Sequence, residues 1–213
     1  MRKYCYVILI SLLAISHCSI AQEVRTFNTI NFSAGVSGNI HNYSVSVGEM
    51  IQLNKTLPFR ILVAAQYTGK VTRPGRWSSD LGSITSPLVV KNTLFSSNIN
   101  LPVGGEIFYK SLGLGIVQEL VNFNLSKNFD STKVAIPKDF TLKSNGVTNV
   151  FSKKNNLNTA IYLVYTINDS FSLKFGFNKG NELFNYYNDT QKVGFSKIKD
   201  NSLFFSFRTN IEK

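Results

Sequence analysis

A histidine and a Ser-Ser-Asp run are the residues here whose types suit nucleophilic catalysis. His41 could act as a base, Ser78 or Ser79 as the nucleophile, and Asp80 as the group that orients the base. His41 falls in the first predicted loop and the Ser-Ser-Asp run in the second. No motif surrounds either position, and a surface histidine with a turn-forming run is the simpler interpretation. We therefore assign no catalytic residue and keep His41, Ser79 and Asp80 as an alternative.

Charged residues form a second group. Each lies on the polar side of a stretch in which apolar and polar residues alternate, and the five are Arg60, Glu106, Glu119, Lys174 and Arg208. Because alternate residues of a β-strand point to the same face, neighbouring strands would bring these charges together. Opposite charges that meet away from water are expected to pair, since an unpaired buried charge costs several kcal/mol.

A third group is a run of lysines in residues 124–157, which hold six lysines against two aspartates. The lysines are Lys127, Lys133, Lys138, Lys143, Lys153 and Lys154. They could bind phosphate groups electrostatically, and the alternative is a solvated loop with a charge bias. The net charge of +11 does not by itself indicate nucleic acid. No aromatic-interleaved platform or binding motif is present, so no nucleic-acid partner is expected.

Cofactor and metal sites are not expected. The sequence has no phosphate loop, dinucleotide fingerprint or zinc-ligand spacing. Both cysteines, Cys5 and Cys18, lie in the first 21 residues, which have the features of a signal peptide.

That leader has a basic start at Arg2 and Lys3, an apolar run over residues 7–15, and small residues at Ser19 and Ala21. Cleavage before Gln22 is expected, so residues 1–21 form the signal peptide and residues 22–213 one domain. Acylation at Cys18 is the alternative. No later apolar run approaches the 18 residues of a spanning helix, so a helical membrane protein is not expected.

Residues 158–179 give the clearest structural signal. Ile161, Leu163 and Tyr165 share one face of the first half, and Phe175 and Phe177 share one face of the second. The short run Asn168 to Ser170 separates the halves. Period-two alternation on both sides of a turn predicts a β-hairpin.

The same alternation recurs along the chain and predicts eight strands. They cover residues 30–36, 43–53, 59–70, 94–108, 112–123, 158–167, 171–179 and 203–210, and residues 192–198 could extend the wall. Tight turns at 54–56, 109–111 and 168–170 alternate with longer loops at 37–42, 72–92, 124–157 and 180–200. Two positions disagree with the pattern: Glu49 falls on an apolar face, and strand five needs a bulge near Val117 to keep its phase. Pro102 would suit a bulge or an unpaired position.

An even number of strands, with short turns at one end and long loops at the other, is typical of an up-and-down transmembrane barrel. The chain resembles the small eight-stranded outer-membrane β-barrel proteins of Gram-negative bacteria, in particular the outer membrane protein beta-barrel domain type of Bacteroidetes. The resemblance covers residues 29–211 and depends on strand pattern, the signal ending Ser-Ile-Ala-Gln, and the last strand Ser-Leu-Phe-Phe-Ser-Phe-Arg. The chain continues to Lys213 instead of ending on an aromatic residue.

The resemblance implies an all-β closed antiparallel barrel in the outer membrane, with no shared catalytic residues, and we expect a monomer. Its role would be structural or surface interaction, with membrane lipids and lipopolysaccharide phosphates as partners. The five charges would then form a paired plug in the lumen. Three alternatives remain: a narrow or gated channel, a lipid-modifying enzyme that uses His41, and a soluble exported lipocalin-like binding barrel. Some eight-stranded barrels are lipid A acyltransferases with His, Asp and Ser in their outer loops, a likeness of placement only.

Overall fold

The computed structural model describes residues 24–52, 58–77, 88–125, 128–129, 132–135, 140–144, 146–150, 157–188 and 190–212. Eight long strands form the wall: β1 (Arg25–Ser37), β2 (Ile40–Gln52), β3 (Phe59–Thr72), β6 (Leu94–Tyr109), β7 (Leu112–Asn124), β12 (Thr159–Asn168), β13 (Phe171–Asn188) and β14 (Gln191–Glu212). Six short strands lie in the long connections: β4 (Gly75–Trp77), β5 (Leu88–Val90), β8 (Asn128–Phe129), β9 (Val134–Ala135), β10 (Thr141–Ser144) and β11 (Val147–Asn149). Within these residues, no helix has the length and apolar character to cross a membrane.

The wall closes on itself. Each long strand pairs antiparallel with the next along the chain, β12 joins β7 to β13, and β14 pairs back onto β1. A path around the barrel that steps from each residue to its partner on the next strand starts on β6 at Phe95 and returns to β6 at Gly105. The residues between are Val71, His41, Val36, Leu203, Phe177, Ile161 and Ile116. The stagger is therefore ten residues (105 − 95), and it tilts the strands relative to the barrel axis. Closure pairs the edges that an open sheet would expose.

The apolar side of the wall faces out. The exposed fractions are 47% for Val63, 55% for Phe175 and 53% for Phe205, whereas Lys174 and Arg208 on the opposite face are 5% and 0% exposed. This orientation contradicts the lipocalin-like alternative, because a lipocalin lumen is lined by apolar side chains. The apolar belt consists of Phe32, Val36, Tyr43, Val45, Val47, Val63, Tyr67, Phe95, Ile99, Leu101, Ile107, Leu112, Leu114, Ile116, Ile161, Leu163, Tyr165, Phe171, Phe175, Phe177, Leu203, Phe205, Phe207 and Ile211.

The loop end of the barrel carries a folded cap. A three-stranded sheet, β4-β5-β9, and the short strands β8 and β10 lie beside the extended ends of β13 and β14. Phe129 and Phe184 meet edge to face with ring centroids 5.2 Å apart. The cap core consists of Ile40, Val90, Leu94, Phe129, Val134, Leu142, Phe184, Tyr186 and Ile198, with Phe140 packed against it.

Several predicted boundaries are wrong, and most of the errors assign too many residues to loops. The first loop shrinks to the turn at Gly38 and Asn39, where Gly38 has a φ of +50°, a left-handed conformation that suits glycine. Residues 124–157 include short strands, and most of 180–200 continues β13 and β14. The cause is that these segments pack against each other in the cap, so they lack the clean alternation of a wall strand. The turns at 109–111 and 168–170 are confirmed, and that at 54–56 lies outside the described residues.

The fifth predicted strand corresponds to β7. It contains the expected bulge, but at a different position. Pro102 pairs with Glu119 and Leu101 with Val121, which leaves Leu120 as the extra residue. The expectation of a bulge near Val117 is therefore wrong in position, while that of Pro102 beside an irregularity is confirmed. Glu49 lies in unbroken register with both of its neighbouring strands and is exposed, so no bulge turns it inward.

Candidate functional site

The part of the lumen near the short turns holds a buried ionic cluster centred on Glu106. Its Oε1 atom lies 2.6 Å from Arg208 Nη1 and 3.1 Å from Lys174 Nζ, and it accepts a hydrogen bond of 2.8 Å from the Tyr162 hydroxyl. These side chains come from β6, β14, β13 and β12, so four strands meet at one carboxylate. Lys174 also lies 4.5 Å from the centre of the Tyr162 ring. The expected pairing of Glu106, Lys174 and Arg208 is present.

Arg60 lies near this cluster but uses different contacts. It pairs with Glu106 across the β3–β6 register, yet its guanidinium stacks 4.3 Å from the centre of the Phe108 ring and 5.9 Å from that of Phe27. Its Nε donates a 3.3 Å hydrogen bond to Gln52 Oε1. A cation over an aromatic face is stabilised by the ring quadrupole. Arg60 therefore packs among aromatic rings at the short-turn end.

Glu119 does not join the ionic cluster, contrary to expectation. Its Oε1 accepts hydrogen bonds of 2.8 Å from the side-chain amides of Asn100 and Asn158, and its Oε2 accepts one of 3.0 Å from the Asn158 backbone. Glu119 lies opposite Pro102, four residues along β6 from Glu106, and β12 begins directly beside it. The carboxylate is thus held by amides, not by cations.

A second ion pair lies farther toward the cap, and the sequence did not reveal it. Lys70 Nζ is 2.9 Å from Asp200 Oδ2, and both side chains are buried. Asn42 Nδ2 lies 3.0 Å and 2.9 Å from the two oxygens of Asp200. Lys70 stood on the polar face of its predicted strand, but Asp200 lay in a predicted loop, so only the extended β14 brings the two together.

A polar chamber of about 120 Å³ separates the two ionic layers. Its lining includes Ser46, Gln66, Thr68, Tyr162 and Asn158, with a lysine from each ionic layer. A water occupies about 30 Å³ of liquid, so the chamber has room for several waters. The Asn158 Oδ1 atom is buried with no protein partner, which fits a hydrated space.

Of the alternative catalytic residues, His41 lies in the described part of the chain. His41 lies within β2, not in a loop, and its side chain is on the outer wall between Val36 and Val71. Its Nε2 has no hydrogen-bond partner there. Ser78, Ser79 and Asp80 lie outside the described residues.

Only two of the six loop lysines lie in described segments. Lys133 is exposed beside β9, and Lys143 on β10 places its ammonium 5.1 Å from the centre of the Tyr187 ring. The other four, Lys127, Lys138, Lys153 and Lys154, lie outside the described residues. Within the residues the structure does describe, no three metal-ligating side chains converge.

No protein family and no curated protein matches the chain. Similar solved structures include Ail, the attachment invasion locus protein of Yersinia pestis, in complex with the heparin analogue sucrose octasulfate. It has 5% identity and a TM-score of 0.41 over 89% of this chain and 100% of that chain. Another is a major outer membrane protein from Thermus thermophilus, with 12% identity and a TM-score of 0.39 over 86% of this chain and 98% of that chain. Similarity at this level says nothing about activity or partners. The strand register and burial of this chain define a closed eight-stranded antiparallel barrel with an apolar outer wall and an ion-paired interior.

Proposed function

We propose that this chain is an outer-membrane barrel that spans the bilayer with a filled lumen and acts through its capped outer end. The single observation behind the proposal is the apolar belt, to which all eight wall strands contribute. Soluble monomers rarely expose contiguous apolar patches beyond a few hundred Å². A closed barrel satisfies its backbone hydrogen bonds internally, which is the condition for spanning lipid with strands.

The dimensions of the belt support a membrane-spanning role. Along β14 the outward apolar positions run from Leu203 to Ile211, nine residues that at about 3.3 Å each extend roughly 30 Å along a tilted strand. A tilt of 35–45° reduces this to about 23 Å, close to the apolar band of about 25 Å in outer-membrane barrels.

A structural or surface-interaction role fits the interior better than transport. The Glu106 cluster, the Lys70–Asp200 pair and the cap core fill the barrel at three levels. The narrow channel is the second candidate, favoured only by the polar chamber between the ionic layers. Planar-bilayer recordings separate the two, because a filled lumen gives no discrete conductance steps.

We further infer that the protein is not an enzyme, that it acts as a monomer in a Gram-negative envelope of the Bacteroidetes type, and that its partners are outer-membrane lipids, including lipopolysaccharide phosphates. An unaltered lipid A profile in cells carrying His41→Ala supports the absence of enzyme activity. Loss of a lipid A modification in those cells, with normal barrel assembly, would contradict it.

The decisive experiment uses the neighbours Phe204 and Phe205. Phe205 faces out, while Phe204 lines the chamber and meets Tyr162 with ring centroids 6.1 Å apart. The Trp77→Phe substitution removes the one tryptophan of the chain, so that each variant carries a single new tryptophan. In that background, brominated acyl chains in vesicles should quench the tryptophan fluorescence of Phe205→Trp but not that of Phe204→Trp. Equal quenching of both, or of neither, would overturn the membrane orientation. Envelope fractionation and heat-modifiable gel mobility provide an independent check.

A further inference from the structure

A pair of lysines lies at the point where the apolar belt ends on the β13–β14 hairpin. Along β13 the outward side chains change from Phe175 and Phe177 to Lys179, and along β14 they change from Leu203 to Asn201 and Lys199. Both lysines are exposed. We propose that Lys179 and Lys199 form a binding site for the phosphate of a lipid A-type headgroup in the outer leaflet. The proposal rests on the membrane orientation argued above.

The strand register makes the two lysines close neighbours on the wall. Lys179 pairs with Asn201, and Asn181 pairs with Lys199, so the lysines are diagonal neighbours on the outer face. Diagonal neighbours in an antiparallel pair lie about 7–8 Å apart at their base, within reach of two long side chains that converge on one anion. The amides of Asn181 and Asn201 add hydrogen-bond donors to the same patch.

The local charge leaves this patch positive. The acidic residues on this part of the hairpin, Glu182 and Asp200, point inward and are 4% and 1% exposed. Asp200 is already paired with Lys70. Within the described part of the chain, neither Lys179 nor Lys199 forms an ion pair with a carboxylate.

The position favours a lipid over a soluble anion. A lipid whose acyl chains pack against Phe177 and Leu203 has its headgroup at the level of the lysines, so one molecule satisfies both the apolar and the charged surface. The wall at β7 differs, because its outward residues near the loops are Leu120 and Phe123.

The test compares Lys179→Gln/Lys199→Gln with Lys91→Gln/Lys110→Gln, which removes the same charge from two exposed positions outside the hairpin. Native mass spectrometry of the full barrel in detergent, titrated with purified lipid A, measures the bound fraction. Each lysine near a membrane surface contributes about fivefold, so the hairpin variant should bind roughly 30-fold more weakly while the control changes little. Equal weakening of both variants, or none in the hairpin variant, would overturn the site.

Two further arms identify the ligand. Lipid A with its phosphates removed should bind the unsubstituted barrel as weakly as intact lipid A binds the hairpin variant, and equal binding would refute phosphate recognition. Inorganic phosphate should not displace the lipid at millimolar concentration, and displacement would identify a site for free anions instead. Heat-modifiable mobility establishes that each variant is folded. If Phe205→Trp is quenched by lipid but the lysines have no effect, only this inference fails and the membrane assignment stands.

Discussion

Replacing Glu106 by glutamine should destabilise the barrel strongly. The substitution keeps the size of the side chain but removes the negative charge that two cations share. Arg208 Nη1 and Lys174 Nζ lie 2.6 Å and 3.1 Å from the same carboxylate oxygen. Both cations are buried, so neither can turn to bulk water when the carboxylate is lost.

The size of the effect follows from the burial of the cluster. Removing one partner of a buried ion pair costs about 3–5 kcal/mol, because the remaining charge stays desolvated. Here one substitution leaves two cations without a counter-charge. Arg208 is 0% exposed and Lys174 is 5% exposed. We therefore expect the folding equilibrium constant to fall roughly 150- to 5,000-fold.

Urea titration in phosphatidylcholine vesicles, followed by heat-modifiable gel mobility, measures this change. Asp169→Asn is the matched control, because it removes a carboxylate from an exposed turn. The double variant Glu106→Gln/Lys174→Met also removes one of the two unpaired cations and should be more stable than Glu106→Gln alone. Such non-additive effects on stability are not seen between independent sites. A loss below about 1 kcal/mol for Glu106→Gln, or an equal loss in Asp169→Asn, would refute the buried-pair reasoning.

Three other substitutions test separate parts of the structure. Asp200→Asn should lower stability by about 3 kcal/mol through loss of the Lys70 pair, measured by the same urea titration. A Cβ at Gly115 would overlap the Tyr162 ring, so Gly115→Ala should cost about 1–3 kcal/mol, and combining it with Tyr162→Leu should cost less than the sum of the two single changes. Phe205→Arg puts a charge on the lipid face and should cost about 2–4 kcal/mol in vesicles, whereas a protein whose wall faces water would lose little.

The wall could be read from the sequence because its signal is local. Strict alternation, as in residues 171–177, fixes which side chains share a face, and the tight turns at 109–111 and 168–170 fix where the chain reverses. Eight such segments with alternating short and long connections specify a closed barrel. The outward placement of Val63, Phe175 and Phe205 followed from the same pattern.

The cap and the upper ion pair depend on contacts between distant segments. Val134, Leu142 and Phe184 come from three parts of the chain, and none lies in a stretch with clear periodicity. Asp200 meets Lys70 only because β14 continues past the belt. Glu119 lies opposite Pro102, four residues along β6 from Glu106, so its height in the wall separates it from the ionic cluster.

The sequence by itself determined the number of wall strands, two of the tight turns and the face that most wall residues present, because alternation with period two is a property of a single strand. Which charges pair was decided by the stagger of the closed barrel, since that stagger sets which rows of different strands meet at the same height. Glu106 therefore meets Arg208, Lys174 and Tyr162, Arg60 stacks on Phe108, and Lys70 pairs with Asp200, and none of these partnerships follows from any one strand.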